Sequence, residues 1–295
     1  MTNKVIISFA AISVLLWTAL ITPAWPADKL TAFADIGPVA NLAREIGGQR
    51  VQVSVLVPPG RDPHTFEPTP RQMAGMSAAR LFLNLDMPFA RRMLLKLKNA
   101  NPHLRVVEVA AGIERIPLDS ENGEHGHHGE ELDPHIWLDP TRAAKMAENL
   151  AQAFGRADPP GRDYYQANLE RLKVRLSALD AKLKKSLEPY RGREFFVFHP
   201  ALGYLAQAYG LKQVAVQAGG KEPGAKRLAQ LIQRAKEKGV RIVFVEPQFP
   251  QGTARALAQA IGGSLVVVDP LAPDYPANLE RLAESLAQAM KQEKP

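Results

Sequence analysis

The sequence predicts an α/β protein of two parallel-sheet domains joined by one long rigid helix. Three observations carry that expectation. The chain has 295 residues, 46% of them hydrophobic, enough to bury two cores. Apolar runs of strand length alternate with amphipathic helical runs, the pattern of strand–helix–strand crossovers. One mid-chain stretch carries an unbroken leucine stripe at helical spacing.

In chain order, Lys4 supplies a short positive region, residues 5–21 carry no charge, and the small residues Ala24 and Ala27 follow. This layout reads as a secretory signal peptide over residues 1–24. Cleavage after Ala24 is favoured, because cleavage after Ala27 would put the bulky Trp25 two residues before the cut. The apolar run is long for a signal and slightly short for a spanning helix, so an uncleaved anchor is the alternative. Residues 25–160 form the first expected domain, 161–189 the connector and 190–295 the second. Runs 51–57, 81–85 and 105–109 read as strands of the first, and 195–198, 214–217, 241–245 and 265–268 as strands of the second. Several are continuous Val, Ile, Leu and Phe, as expected of strands covered on both faces. Runs 224–238 and 253–261 read as helices between them. In the connector, Leu169, Leu172, Leu176, Leu179, Leu183 and Leu187 form one stripe along residues 164–187. Such a helix spans roughly 35 Å at 1.5 Å per residue. Pro159, Pro160 and Gly161 punctuate its start and Pro189 its end.

Composition removes several function classes. The net charge of +7 is spread along the chain, and no basic tract interleaves with aromatics, so nucleic acid is not an expected partner. There is no cysteine, hence no disulfide and no thiol for a lipid anchor. The cleaved product is expected to be a soluble, monomeric periplasmic protein. Any metal it binds must be held by His and carboxylate. Residues 119–131 are rich in Gly, His and acids and carry His125, His127 and His128. They read as a surface loop that collects metal weakly or binds it only incidentally.

The seven histidines are not scattered at random. His64 lies in Asp62-Pro63-His64-Thr65-Phe66 and His135 in Asp133-Pro134-His135-Ile136-Trp137, two segments that resemble each other. His199 ends a predicted strand and precedes Pro200; Asp269 ends another and precedes Pro270. Each alone has an ordinary reading as a loop or cap residue, and Asp139-Pro140 looks like a helix N-cap followed by the first helical residue. His103, in Asn101-Pro102-His103, reads as a surface residue. Ligands of parallel α/β sheets sit beyond the carboxyl ends of strands. His64 and His135 come from one half, and His199 and Asp269 from the other. A site using all four falls in the cleft between domains, where three imidazoles and a carboxylate make a near-complete tetrahedral shell for zinc.

The segments PPGRDPHTFEPTP, DPHIWLDP, FHPALGYLAQAYGL, GGKEPGAKRLAQLI through VFVEPQF, and VVVDPLAPDY resemble, in order, the cluster A-I solute-binding family, the metal receptors of zinc and manganese ABC transporters. The resemblance covers essentially the whole mature chain. It implies two α/β domains, a rigid connecting helix, metal ligation by His64, His135, His199 and Asp269, and delivery to a membrane permease. The chain departs from the family pattern at Leu202, where an aromatic is frequent, and at Ala90, where Glu is frequent. In this family manganese receptors typically place Glu at the third ligand position and zinc receptors His. His199 therefore implies zinc, and the preference of imidazole-rich sites for zinc agrees. Mn2+ or Fe2+ is the alternative cargo. A zinc hydrolase is the alternative class, with Glu67 or Glu246 as general base. Asp269 in the fourth position and the lack of a His-Glu-x-x-His helix argue against it. No feature of the sequence supports adhesion.

Overall fold

The alternation of strand and helix resolves into two four-stranded, all-parallel sheets of the same topology. The computed structural model describes residues 29–118, 132–217 and 219–292. The expected signal peptide and the 119–131 segment with His125, His127 and His128 lie outside the described residues. The first lobe runs β1 (Leu30–Ala34), α1 (Gly37–Gly47), β2 (Val51–Val55), α2 (Pro70–Ser77), β3 (Leu81–Asn84), α3 (Pro88–Ala100), β4 (Arg105–Glu108) and α4 (Pro140–Ala157). After α5 (Arg162–Leu187) come β5 (Glu194–Val197), α6 (Gly203–Tyr209), β6 (Lys212–Ala215), α7 (Ala225–Glu237), β7 (Ile242–Val245), α8 (Gly252–Ala260), β8 (Ser264–Val267) and α9 (Tyr275–Gln292). The sheet orders are β2-β1-β3-β4 and β6-β5-β7-β8.

Each order has a switch point, between β1 and β3 and between β5 and β7, where successive crossovers leave in opposite directions. A buried carboxylate closes each one. Asp35, just past β1, accepts from the backbone N–H of Leu85 past β3 and from Ile36 N. Glu246, just past β7, accepts from His199 N past β5 at 3.4 Å. Both switch points are therefore closed by a backbone donor on a buried carboxylate, and at the second that donor belongs to the candidate site residue His199.

Strand burial follows the pleat. In the second sheet, Phe195, Val197, Ile242 and Phe244 face α5 and α9, whereas Phe196, Val214, Val243 and Val245 face Leu231 of α7 and Leu257 of α8. Both faces are covered, which is why these strands are apolar throughout.

Helix α5 has no internal Gly or Pro, and all six predicted leucines of its stripe are buried. Each contributes roughly 1.5–3 kcal/mol of apolar burial. The helix packs on α1 and α4 on one side and on α6 and α9 on the other. Asn168 Nδ2 donates to Ile46 O at 2.8 Å, and Tyr209 Oη donates to Asp180 Oδ1 at 3.0 Å. One contiguous core thus runs from the first lobe through α5 into one face of the second sheet. Among the described residues, no helix is long and apolar enough to cross a membrane.

Candidate metal centre

The dipeptide Asp-Pro builds the local geometry of the site. Proline fixes the backbone so that the preceding aspartate accepts from the N–H two residues on, an Asx turn. Asp62 Oδ1 accepts from His64 N at 2.8 Å, Asp133 Oδ1 from His135 N at 2.8 Å, and Asp269 Oδ1 from Leu271 N at 3.0 Å. Asp139 does the same for Thr141 at 2.8 Å and caps α4, with Pro140 at its first position. The likeness between the His64 and His135 segments is thus a repeated turn that presents an imidazole at its third residue.

The three loops converge. His64, between β2 and α2, His135, ahead of α4, and His199, two residues past β5, each offer a ring nitrogen, and these nitrogens lie within 4.8 Å of one another. Ring centroids stand 4.9 Å apart for His64–His199, 5.3 Å for His135–His199 and 5.9 Å for His64–His135. Nitrogens on a tetrahedral zinc stand about 3.3 Å apart, so loading asks for shifts on the order of an ångström. The rings border a cavity of about 20 Å³, room for a single ion or water, also lined by Met87, Trp137, Glu246, Gln248 and Phe249.

Outer partners fix two of the rings. His135 Nδ1 donates to Asp133 Oδ1 at 2.6 Å, and His199 Nδ1 donates to Gln217 Oε1 at 3.2 Å. Both rings therefore present Nε2 as the free lone pair, and His199 Nε2 is buried without a partner among the described residues. Phe249 stacks on His199 at 4.8 Å, and Trp137 packs on His135 at 5.3 Å. Phe66 anchors the His64 loop against Phe89, edge to face at 5.4 Å. Gly203 makes room for Asp133, since a Cβ there would sit 2.7 Å from Asp133 Oδ2.

The electrostatics favour the neutral form of two of the imidazoles, His64 and His199. Burial first, then the neighbouring His135, pushes His64 down to about 4. Burial, then His135 and His64, pushes His199 well below the ordinary histidine value. Neutral imidazole is the form that ligates metal. Burial, with Asp269 nearby, pushes Glu246 up to about 8, and its Oε1 is buried without a partner among the described residues. Glu246 thus lies in the cleft accepting a hydrogen bond from His199 N.

Asp269 stands apart from the three-histidine group. Its Oδ1 accepts from Gln248 Nε2 at 2.7 Å as well as from Leu271 N. His103 lines a separate cavity with Arg80 and Arg105 at the opposite end of the first sheet. Sequence reasoning did not single out Asp133, Gln217, Gln248 or Phe249. Asp133 alone carried a signal, as the first residue of an Asp-Pro-His turn.

Two α/β lobes on a rigid helix, with three imidazoles around an ion-sized cavity between them, define a metal-capture receptor. The chain belongs to the ZnuA family, the periplasmic component A of zinc-uptake complexes, whose model matches residues 33–289. It is 30% identical over 257 residues to the high-affinity zinc uptake system protein ZnuA of Bacillus subtilis (strain 168), covering 83% of this chain and 79% of that protein. It is 28% identical over 315 residues to the zinc-binding lipoprotein AdcA of Streptococcus pneumoniae serotype 4, covering 99% of this chain but only 62% of that protein's length. A solved ZnuA deletion mutant with zinc bound superposes with a TM-score of 0.83 at 38% identity, covering 91% of this chain and all of that one. The chain is accordingly an exported metal-binding component of an ABC importer and not an enzyme, which sets the hydrolase alternative aside.

Proposed function

We propose that the chain captures one Zn2+ between its lobes through His64, His135, His199 and Asp269, and delivers it in the periplasm to the permease of an ABC importer. The observation that carries this reading is the convergence of three imidazole nitrogens within 4.8 Å on an ion-sized cavity. Two of the rings already have Nδ1 engaged and Nε2 free. A nitrogen-rich, sulfur-free donor set with one carboxylate suits zinc over manganese, which prefers more oxygen. Zinc names on the relatives support the same choice. All four ligands come from one chain, which supports a monomer as the working unit. The division into a first lobe over residues 25–160, a connector over 161–189 and a second lobe over 190–295 places two ligands on each side of α5. Elemental analysis of the purified protein, followed by competition between zinc and manganese, tests the function. One equivalent of zinc that manganese fails to displace is expected. Preferential retention of manganese would overturn the zinc reading.

A further inference from the structure

The carboxylate of Asp269 is held by something other than metal. Its Oδ1 accepts two hydrogen bonds, from Leu271 N at 3.0 Å and from Gln248 Nε2 at 2.7 Å. The first is the local Asx turn imposed by Pro270. The second crosses from the loop between β7 and α8, where Gln248 also lines the cavity of the three histidines. Two donors on one oxygen direct the carboxylate plane and leave Oδ2 as the oxygen with open lone pairs. We propose that Gln248 is a positioning residue for zinc binding: it orients Asp269 so that Oδ2 enters the ion's shell as a single-oxygen ligand.

The inference rests on reading Asp269 as the fourth ligand. The histidines are gathered by the Asx turns of His64 and His135 and by ring partners on His135 and His199, whereas Asp269 lies outside their 4.8 Å group. Its placement is therefore the step left for an outer residue to control. Asp133 serves His135 and Gln217 serves His199 in the same sense, and Gln248 does so for the carboxylate. An amide donor is well matched to this role, because it bonds Oδ1 without a charge that would compete with the ion for the carboxylate.

The test is a double-mutant cycle on zinc affinity, measured against a chromophoric chelator, with Gln248→Ala, Asp269→Ala and the double variant. Loss of an outer-shell partner typically lowers metal affinity about 10–100-fold. Gln248→Ala is expected to weaken zinc by that order in the wild-type background and by nothing further once Asp269 is gone. The visible spectrum of the Co2+-loaded protein adds a readout that general destabilisation would not move. Gln248→Ala should shift it toward the spectrum of Asp269→Ala. Gln248→Met, of similar size but with neither a hydrogen-bond donor nor a charge, covers the case in which the alanine variant fails to fold, and it should weaken zinc by a similar factor. Wild-type affinity in Gln248→Ala, or an equal loss with and without Asp269, overturns the positioning role. Wild-type affinity in Asp269→Ala overturns the fourth ligand itself, and the positioning role with it.

Discussion

Trp137 Nε1 donates to Pro270 O at 2.9 Å, joining the residue two past His135 to the residue one past Asp269. Tyr275 Oη donates back to Trp137 O, and Asn278 Nδ2 donates to Asp269 O at 2.7 Å. The His135 and Asp269 loops, from opposite lobes, are thereby fastened to each other through buried groups. Trp137→Phe keeps the packing but strands the Pro270 carbonyl. A buried acceptor left without its donor costs about 1–3 kcal/mol. Urea denaturation of the zinc-free variant should show a loss in that range with an unchanged m-value.

The same fastening limits lobe movement. Helix α5 has no hinge residue, and its leucines share one core with both lobes. Ångström-scale shifts of the imidazoles suffice to close on an ion. Solution scattering with and without zinc should give nearly equal radii of gyration. A large compaction on loading would contradict a rigid frame.

Acid should act on the zinc-free protein with a definite sign. His64 titrates near 4 in the fold and near 6.5 when unfolded, so between those values the unfolded chain binds more protons. Its contribution to stability is fully present above about 6.5 and is lost as pH falls through about 4. His199 has the same sign. Asp35, pushed up to about 7 by burial, runs the other way and favours the fold on the acid side. The thermal midpoint of His64→Gln should therefore fall less steeply than that of wild type between about pH 6.5 and 4. Parallel curves would refute the assignment. Zinc affinity itself should weaken on acidification, as protons compete for the imidazoles.

The residues flanking the 119–131 segment are paired, because Pro117 and Leu132 form an antiparallel bridge. Deleting the segment therefore joins neighbours and leaves Asp133 and His135 anchored by Tyr204, whose Oη donates to Asp133 O at 3.1 Å. Calorimetry on the deletion variant should retain the tight zinc event and lose any weaker second one. Loss of the tight event would make His125, His127 or His128 a primary ligand.

Much of this was legible in the chain because it is locally encoded. The leucine stripe of α5 is a periodicity. The Asp-Pro-His turns are dictated by proline and by an aspartate that reaches its own backbone. The apolar strands read as covered on both faces because they are. Strand β1 was not legible. Leu-Thr-Ala-Phe-Ala is short and alanine-rich, and it is a strand because β2 and β3 pair with it on both sides. The outer partners Gln217 and Gln248 were hidden for a related reason. A glutamine declares a role only when a distant loop brings an imidazole or a carboxylate to it.

The central claim is that three histidines and Asp269 bind zinc between the lobes, and zinc titration of single-site variants tests it most directly. Wild type should bind one tight equivalent. His64→Ala, His135→Ala and His199→Ala should each weaken it by about two orders of magnitude or more, since each removes a direct ligand where losing even an outer partner costs about 10–100-fold. His103→Ala, at the far end of the first sheet, should bind as wild type does. Equal affinities across all of these variants would contradict the site.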